Sequence, residues 1–398
     1  MKKIFNLFLV VLLLLSLFGC ASASKPSDGD TTTTTAPPPE EPLVDFIVDV
    51  PAGRDPVVLQ LTDTQIIDSS QMRTHDRLSG KAYYYWATEN MEARCFKYLR
   101  ETIEAAKPDL ILLTGDNVYG EFDDKGTTLK TLINFMESFG IPWAPVMGNH
   151  DTETKLGVDW QCEQYENAEH CLFKQRELNG NGNYSVGIRQ NGKITRVFIM
   201  LDTGSDTASA ETYGNGHTRS MVGIAQDQID WYTKAVGRIR QEHPDFKLSF
   251  VFHIPMDVFR QPAVEYGMNE ETGKKALSHI LIDEHPDRKA TDFGIINFNI
   301  SGWDSSWEVW NGMKELGVDS IFCGHWHAVS ASMVYQGVRL QFGQKSSTYD
   351  NTNYLTKWGE YSFSPLDMGM PQVGGTVVPI SETDGSILEP YIYLCKEE

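Results

Sequence analysis

The chain has no basic block, no apolar run of full membrane length, no zinc-ribbon spacing of cysteines and no internal repeat. Each absence removes a class of protein. Its 34 Lys and Arg residues face 54 Asp and Glu, and the net charge of −20 is spread along the chain, so there is no electrostatic footprint for a phosphate backbone. A nucleic-acid-binding surface is therefore not expected, although a metal site can offset local negative charge for one small anionic substrate. The apolar run over residues 4–18, broken by Asn6 and Ser16, is short for a membrane span and typical of a signal-peptide core behind Lys2 and Lys3. Of six cysteines, Cys95, Cys323 and Cys395 stand in apolar contexts and read as small buried hydrophobes. Cys162 and Cys171 lie close together in a polar stretch, where an oxidising compartment would allow a disulfide.

What is present divides the chain into three parts. Leu17-Phe18-Gly19-Cys20 resembles a bacterial lipobox, whose Cys becomes the lipidated first residue of the mature chain, so residues 1–20 read as a lipoprotein signal peptide. A plain signal peptide and an uncleaved anchor are the other readings. Residues 21–42 are Ser, Thr, Pro and acidic, with threonine throughout 31–35 and proline throughout 37–39. Such a segment lacks apolar side chains to offset the entropy of ordering and is expected to be a disordered tether. Residues 43–398 then form a single catalytic domain outside the cytoplasm, and 41% hydrophobic content suffices for its core.

Within that domain, strands are predicted at 57–61, 110–113, 142–147, 248–252, 319–323, 333–335, 338–342, 376–379 and 391–394, and a hairpin at 184–188 and 196–201. Helical periodicity covers 89–107, with Met91, Cys95, Leu99, Ile103 and Ala106 three or four apart, and recurs at 128–139, 224–239 and 307–316. The inner face of the third helix is predicted as Ile229, Trp231, Tyr232 and Val236. Residues 152–183 are polar and read as an insertion or substrate-covering loop. The first strand, helix and strand make a βαβ unit, whose ligands come from the carboxyl ends of its strands.

Five stretches sit at or beside the ends of such apolar runs: Asp63-Thr64-Gln65, Gly115-Asp116-Asn117, Gly148-Asn149-His150-Asp151, His253 and Gly324-His325-Trp326-His327. Hydrolysis of a phosphate ester near neutral pH needs a nucleophile, neutralised phosphoryl oxygens and a proton for the leaving group. Two metals roughly 3.5 to 4 Å apart supply the first two, because a bridging water becomes hydroxide and both cations polarise the phosphate. Asp116 is the candidate bridge. Asp63 and Gln65 point to one side of an extended loop and can reach one ion, to which His327 can return. Asn149, His253 and His325 suit the other. This mixed oxygen and nitrogen set favours Mn²⁺, Fe²⁺, Mg²⁺ or Zn²⁺. His150, left without a metal, is the expected general acid, and Asp151 its orienting carboxylate.

In that order the five stretches look like the calcineurin-like metallophosphoesterase superfamily, with its motifs D-x-H, G-D-x, G-N-H-[DE], H and G-H-x-H. The resemblance implies an α/β fold of four layers, α/β/β/α, in which a two-sheet β-sandwich is flanked by helices. It also implies phosphomonoesterase or phosphodiesterase activity on a small phosphorylated substrate with two divalent metal ions. Gln65 stands where most members have His, a weaker donor that would hold the first ion loosely, although some branches acting on nucleoside diphosphate compounds carry Gln there. Tyr119, three residues after Asp116, matches the branch related to purple acid phosphatases, which place an iron-binding tyrosinate there; with Gln65 filling the coordination position, Tyr119 reads as stacking on the loop. Gln65 and the anchored, loop-rich chain also motivate a rival reading, a surface-binding lipoprotein that keeps the fold without turnover. Arg219 and Arg260 are candidate phosphate contacts by charge alone, and Trp303, Trp307 and Tyr349 read more simply as packing than as ring-stacking groups.

Overall fold

Continuous apolar runs are what strands buried on both faces require. The computed structural model describes residues 41–68, 91–204, 223–270, 280–296, 299–303, 306–346 and 373–396, and Pro42–Glu398 holds the described elements as one unit. The lipobox, nearly all of the tether, Arg219 and Tyr349 lie outside the described residues.

Strands β1 (Phe46–Asp49), β2 (Val57–Leu61), β3 (Leu110–Leu113), β4 (Trp143–Pro145), β5 (Tyr184–Gln190), β6 (Lys193–Met200) and β7 (Lys247–Val251) are followed by β8 (Ile280–Leu281), β9 (Phe293–Ile296), β10 (Val318–Cys323), β11 (Val329–Tyr335), β12 (Val338–Phe342), β13 (Gly374–Pro379) and β14 (Tyr391–Leu394). They form a nine-stranded sheet in the order β1-β5-β6-β7-β10-β12-β11-β9-β8 and a five-stranded sheet in the order β14-β13-β2-β3-β4. The helices are α1 (Met91–Ala106), α2 (Thr127–Glu137), α3 (Val158–Glu166), α4 (Gln226–Glu242), α5 (Arg260–Val264) and α6 (Ser306–Glu315).

Strand β6 shows how the layers arise. Val197 and Ile199 share a core with Tyr232, Val236 and Ile239 of α4, whereas Phe198 and Met200 share a core with Val58 and Leu59 of β2. Successive side chains point to opposite faces, so both faces of the large sheet are apolar, one toward helices and one toward the small sheet. Cys95, Leu99 and Ile103 of α1 join the second core. The order is helix, small sheet, large sheet, helix, which is the four-layer α/β/β/α fold. Burying one such Leu or Ile contributes roughly 1.5–3 kcal/mol, and dozens of them hold the strand ends in place.

The polar stretch 152–183 contains α3, whose period is hidden because Gln161 occupies an inward position. Its Nε2 donates to the Asp151 carbonyl at 2.8 Å, a tertiary partner for the buried amide nitrogen. The edge strands β1 and β8, and β9 beside β8, were also hidden, being short and half-polar or outside any motif. On α4 the fully buried positions are Gln228, Tyr232, Val236 and Ile239; Ile229 and Trp231 pack only partly. Cys162 and Cys171 are both buried free thiols, with the Cys162 Sγ 3.7 Å from Gln175 Oε1, so no disulfide joins them.

Candidate metal centre

Strands β2, β3 and β4 run parallel as neighbours in the small sheet, and β7 and β10 do so in the large one. Asp63, Asp116 and Asn149 therefore leave three adjacent strand ends, and His253, His325 and His327 leave two more that face them across the sandwich. The turns are tight. Asp63, Gln65, Asp116 and His325 all have positive φ, at 50°, 40°, 52° and 73°, a conformation that costs non-glycine residues on the order of 1–3 kcal/mol and gathers at functional sites. Backbone hydrogen bonds from Asp63 N to Gly115 O (3.0 Å) and from Gln65 N to Asp116 O (2.8 Å) fasten the first two loops together. A side chain at Gly148 would collide with Asp116, and one at Gly324 with Thr62 and Asp63, so the glycines of these motifs allow the loops to approach.

On one side of Asp116, four atoms with lone pairs converge. Asn149 Oδ1 lies 3.1 Å from His253 Nε2 and 3.0 Å from His325 Nδ1, and Asp116 Oδ1 lies 3.4 Å from His253 Nε2. His253 donates through Nδ1 to the Thr114 carbonyl at 2.8 Å, which can only accept, so Nε2 is the ring atom turned to the cluster. Asp63, Asp116 and His253 place ligand atoms within 4.8 Å of one another, all buried. Amide and carboxylate oxygens cannot satisfy each other, so the arrangement calls for positive charge. Without a metal a proton supplies it: although burial pushes His253 down, Asp116 beside it drives the imidazole up to about 10. A divalent cation suits this donor set, and binding it would displace that proton.

The other side of Asp116 is built differently. The Asp63 carboxylate accepts from Thr62 Oγ1 at 2.7 Å and from the His325 backbone N–H at 3.1 Å, and its Oδ1 lies 3.2 Å from His327 Nε2. Gln65 is present but turned: its Nε2 donates to Asp116 Oδ2 at 3.0 Å and lies 3.2 Å from His327 Nε2, while Oε1 accepts from Lys345 Nζ at 3.2 Å. The opposite amide orientation would set its nitrogen against an ammonium and its oxygen against a carboxylate, so the network fixes the choice. The expected ligand atom of Gln65 thus faces Lys345. Lys345 is 1% exposed and also donates to the Asp63 carbonyl at 3.1 Å. Burial lowers its ammonium to about 8, with Asp63 and Asp116 opposing, and burial together with Lys345 lowers His327 to about 4.

Lys345 was missed in the sequence. The signal was there: Gly343-Gln344-Lys345 follows the apolar run of β12, which lies parallel beside β10, just as each recognised motif follows its own strand.

His150 stands beside the centre, its backbone N–H donating to Asp116 Oδ1 at 2.8 Å. Its ring stacks on Tyr119 at 4.3 Å between centroids, and its Nδ1 is 3.0 Å from Glu153 Oε2. Glu153 therefore holds the ring, and the orienting role expected of Asp151 is corrected. Asp151 instead accepts backbone N–H bonds from Gly148 (2.8 Å), Val118 (3.0 Å) and Asn117 (3.2 Å), which shape the turn. Burial and the neighbouring Asp116 raise its carboxyl to about 7. Glu153 was hidden because it lies one helical turn beyond His150, whereas Asp151 is adjacent only in sequence. Arg260 is paired with Asp257, Trp303 is buried in the core, and Trp307 is exposed on α6.

Residues 56–329 match the family model of the calcineurin-like phosphoesterases, and the chain belongs to that family. The phosphatase DCR2 of Saccharomyces cerevisiae is 26% identical over 234 residues, which is 58% of this chain and 38% of that protein. Probable inactive purple acid phosphatase 28 of Arabidopsis thaliana is 29% identical over 183 residues, 40% of this chain and 44% of that one. The matched stretch thus spans less than half the length of these curated relatives. Among solved structures, a dimetal phosphatase from Danio rerio aligns with a TM-score of 0.44 at 9% identity, covering 85% of this chain and 98% of that one. Purple acid phosphatase PPD1 from yellow lupin aligns with a TM-score of 0.42 at 12% identity, covering 85% and 53%.

Proposed function

We propose that the chain is a metal-dependent phosphoric ester hydrolase acting on mono- or diesters of small phosphorylated substrates, with ion positions on both sides of Asp116. The observation that carries this reading is the convergence of Asp116 Oδ1, Asn149 Oδ1, His253 Nε2 and His325 Nδ1, with Thr114 accepting from His253 Nδ1 so that Nε2 is the atom free to hold either a proton or a metal. Asp63 and His327 would serve the second position. A divalent ion held by these residues would supply polarisation of a phosphoryl oxygen and a more acidic water, chemistry that no side chain of the cluster supplies. His150, steadied by Glu153 and stacked on Tyr119, donates the proton to the leaving oxygen. Buried Asp151 keeps the turn that aims it. The N-terminal sequence supports export and lipid anchoring through Cys20.

Purified protein loaded with Mn²⁺ is expected to hydrolyse p-nitrophenyl phosphate or its bis-ester and to lose that activity on chelation. Metal-loaded protein that turns over neither ester would refute the proposal. The turned amide of Gln65 favours the second reading, a surface-binding lipoprotein that keeps the fold without turnover, and the same assay separates the two.

A further inference from the structure

The two carboxylate oxygens of Asp116 serve different partners. Oδ1 faces His253 and the His150 N–H, whereas Oδ2 accepts from the Gln65 amide nitrogen, whose other end is tied to Lys345. For Gln65 to offer its oxygen to an ion, the amide must turn over. That breaks the contact with Lys345 and sets an amide nitrogen against an ammonium. A divalent ion among Asp63, Asp116 and Gln65 would also stand a few ångströms from a buried positive charge, in surroundings that screen poorly.

The geometry points to Lys345 as a built-in cation of the centre that competes with a divalent ion for the Asp63, Gln65 and His327 side, so that one ion binds tightly beside His253 and His325 and the second only weakly. This rests on the metal-dependent reading above. Lys345 partly neutralises Asp63 and Asp116 when the second ion is absent, and it sets the Gln65 amide in the orientation that excludes the ion. Its place at the end of β12 makes the arrangement part of the sheet, since Thr62 and Lys345 form a parallel bridge and Ser346 N donates to Thr62 O at 3.0 Å.

The test is calorimetric titration of the metal-free full chain with Mn²⁺, with bound metal counted after gel filtration. Wild type should retain one ion and bind the second weakly. Lys345→Met removes the charge while keeping an unbranched chain, and it should tighten the second ion by more than about tenfold. Electron paramagnetic resonance of wild type with equimolar Mn²⁺ gives a check that needs no variant: an isolated-ion spectrum is expected. Two equally tight ions in wild type, an exchange-coupled pair at equimolar metal, or a second ion left unchanged or weakened by Lys345→Met would each overturn the role of Lys345. Failure of wild type to bind any Mn²⁺ would instead overturn the metal-dependent reading itself.

Discussion

Asn149, His253 and His325 on one side of Asp116, and Asp63, Gln65, His327 and Lys345 on the other, are delivered by strand ends of the same kind, yet each side offsets its negative charge in its own way. The first uses a proton on His253, which an arriving metal can displace into solvent. The second uses an ammonium tethered to β12, which cannot leave. A site whose charge is offset by an exchangeable proton is open to a metal at the cost of pH dependence. One whose charge is offset by a tethered lysine is partly closed at any pH where the lysine stays charged.

The strongest way to break the comparison is to remove what the two sides share. Asp116→Asn should lower Mn²⁺ affinity by more than about 100-fold, beyond the usual loss of an outer partner, and abolish ester turnover. Metal binding like that of wild type would end the assignment. Next, His150→Ala should lower kcat by roughly 10²–10⁴-fold with metal content unchanged, whereas Asn149→Ala should lose metal. Equal metal loss in both would show that His150 is a ligand. Glu153→Gln is a smaller perturbation, expected to lower kcat by about tenfold at unchanged KM, and a kcat equal to that of wild type would remove Glu153 from the orienting role. Asp151→Asn should act on stability instead, because an amide cannot accept on both sides; about 1–3 kcal/mol is expected in chemical denaturation, with the surviving protein retaining its metal.

The smallest effect sharpens the proton side of the comparison. His253 has a folded-state value of about 10, above the ordinary 6.5, so its contribution to stability is fully present below about 6.5 and is lost as pH rises through about 10. Thermal melts of metal-free protein should therefore fall across that interval, and saturating Mn²⁺ should flatten the trend. A pH-independent melting temperature without metal would contradict the proton on His253.

Much of this was legible in the sequence because the central strands are largely apolar and β3, β4 and β10 run into a glycine within a few residues of their ends. β12 and β14 have the predicted bounds, and the recognised strand ends meet at one place. That Asp, Asn and His side chains gather at those ends was also readable, since they have few structural reasons to be there. Orientation was not. Gln65 offers an oxygen or a nitrogen depending on Lys345, distant in sequence, and His150 takes its carboxylate from Glu153, not from adjacent Asp151, because the short turn after His150 brings the third residue under the ring. α3 stayed hidden for a related reason: its inward Gln161 makes a tertiary hydrogen bond to Asp151 that no local period reveals.

The most direct measurement is an anomalous-difference map, collected at the manganese edge, from crystals of the wild-type chain grown with equimolar Mn²⁺. The unequal halves predict one peak, against Asn149, His253 and His325. A peak on the Asp63 and His327 side alone, or two peaks of equal height, would contradict the account.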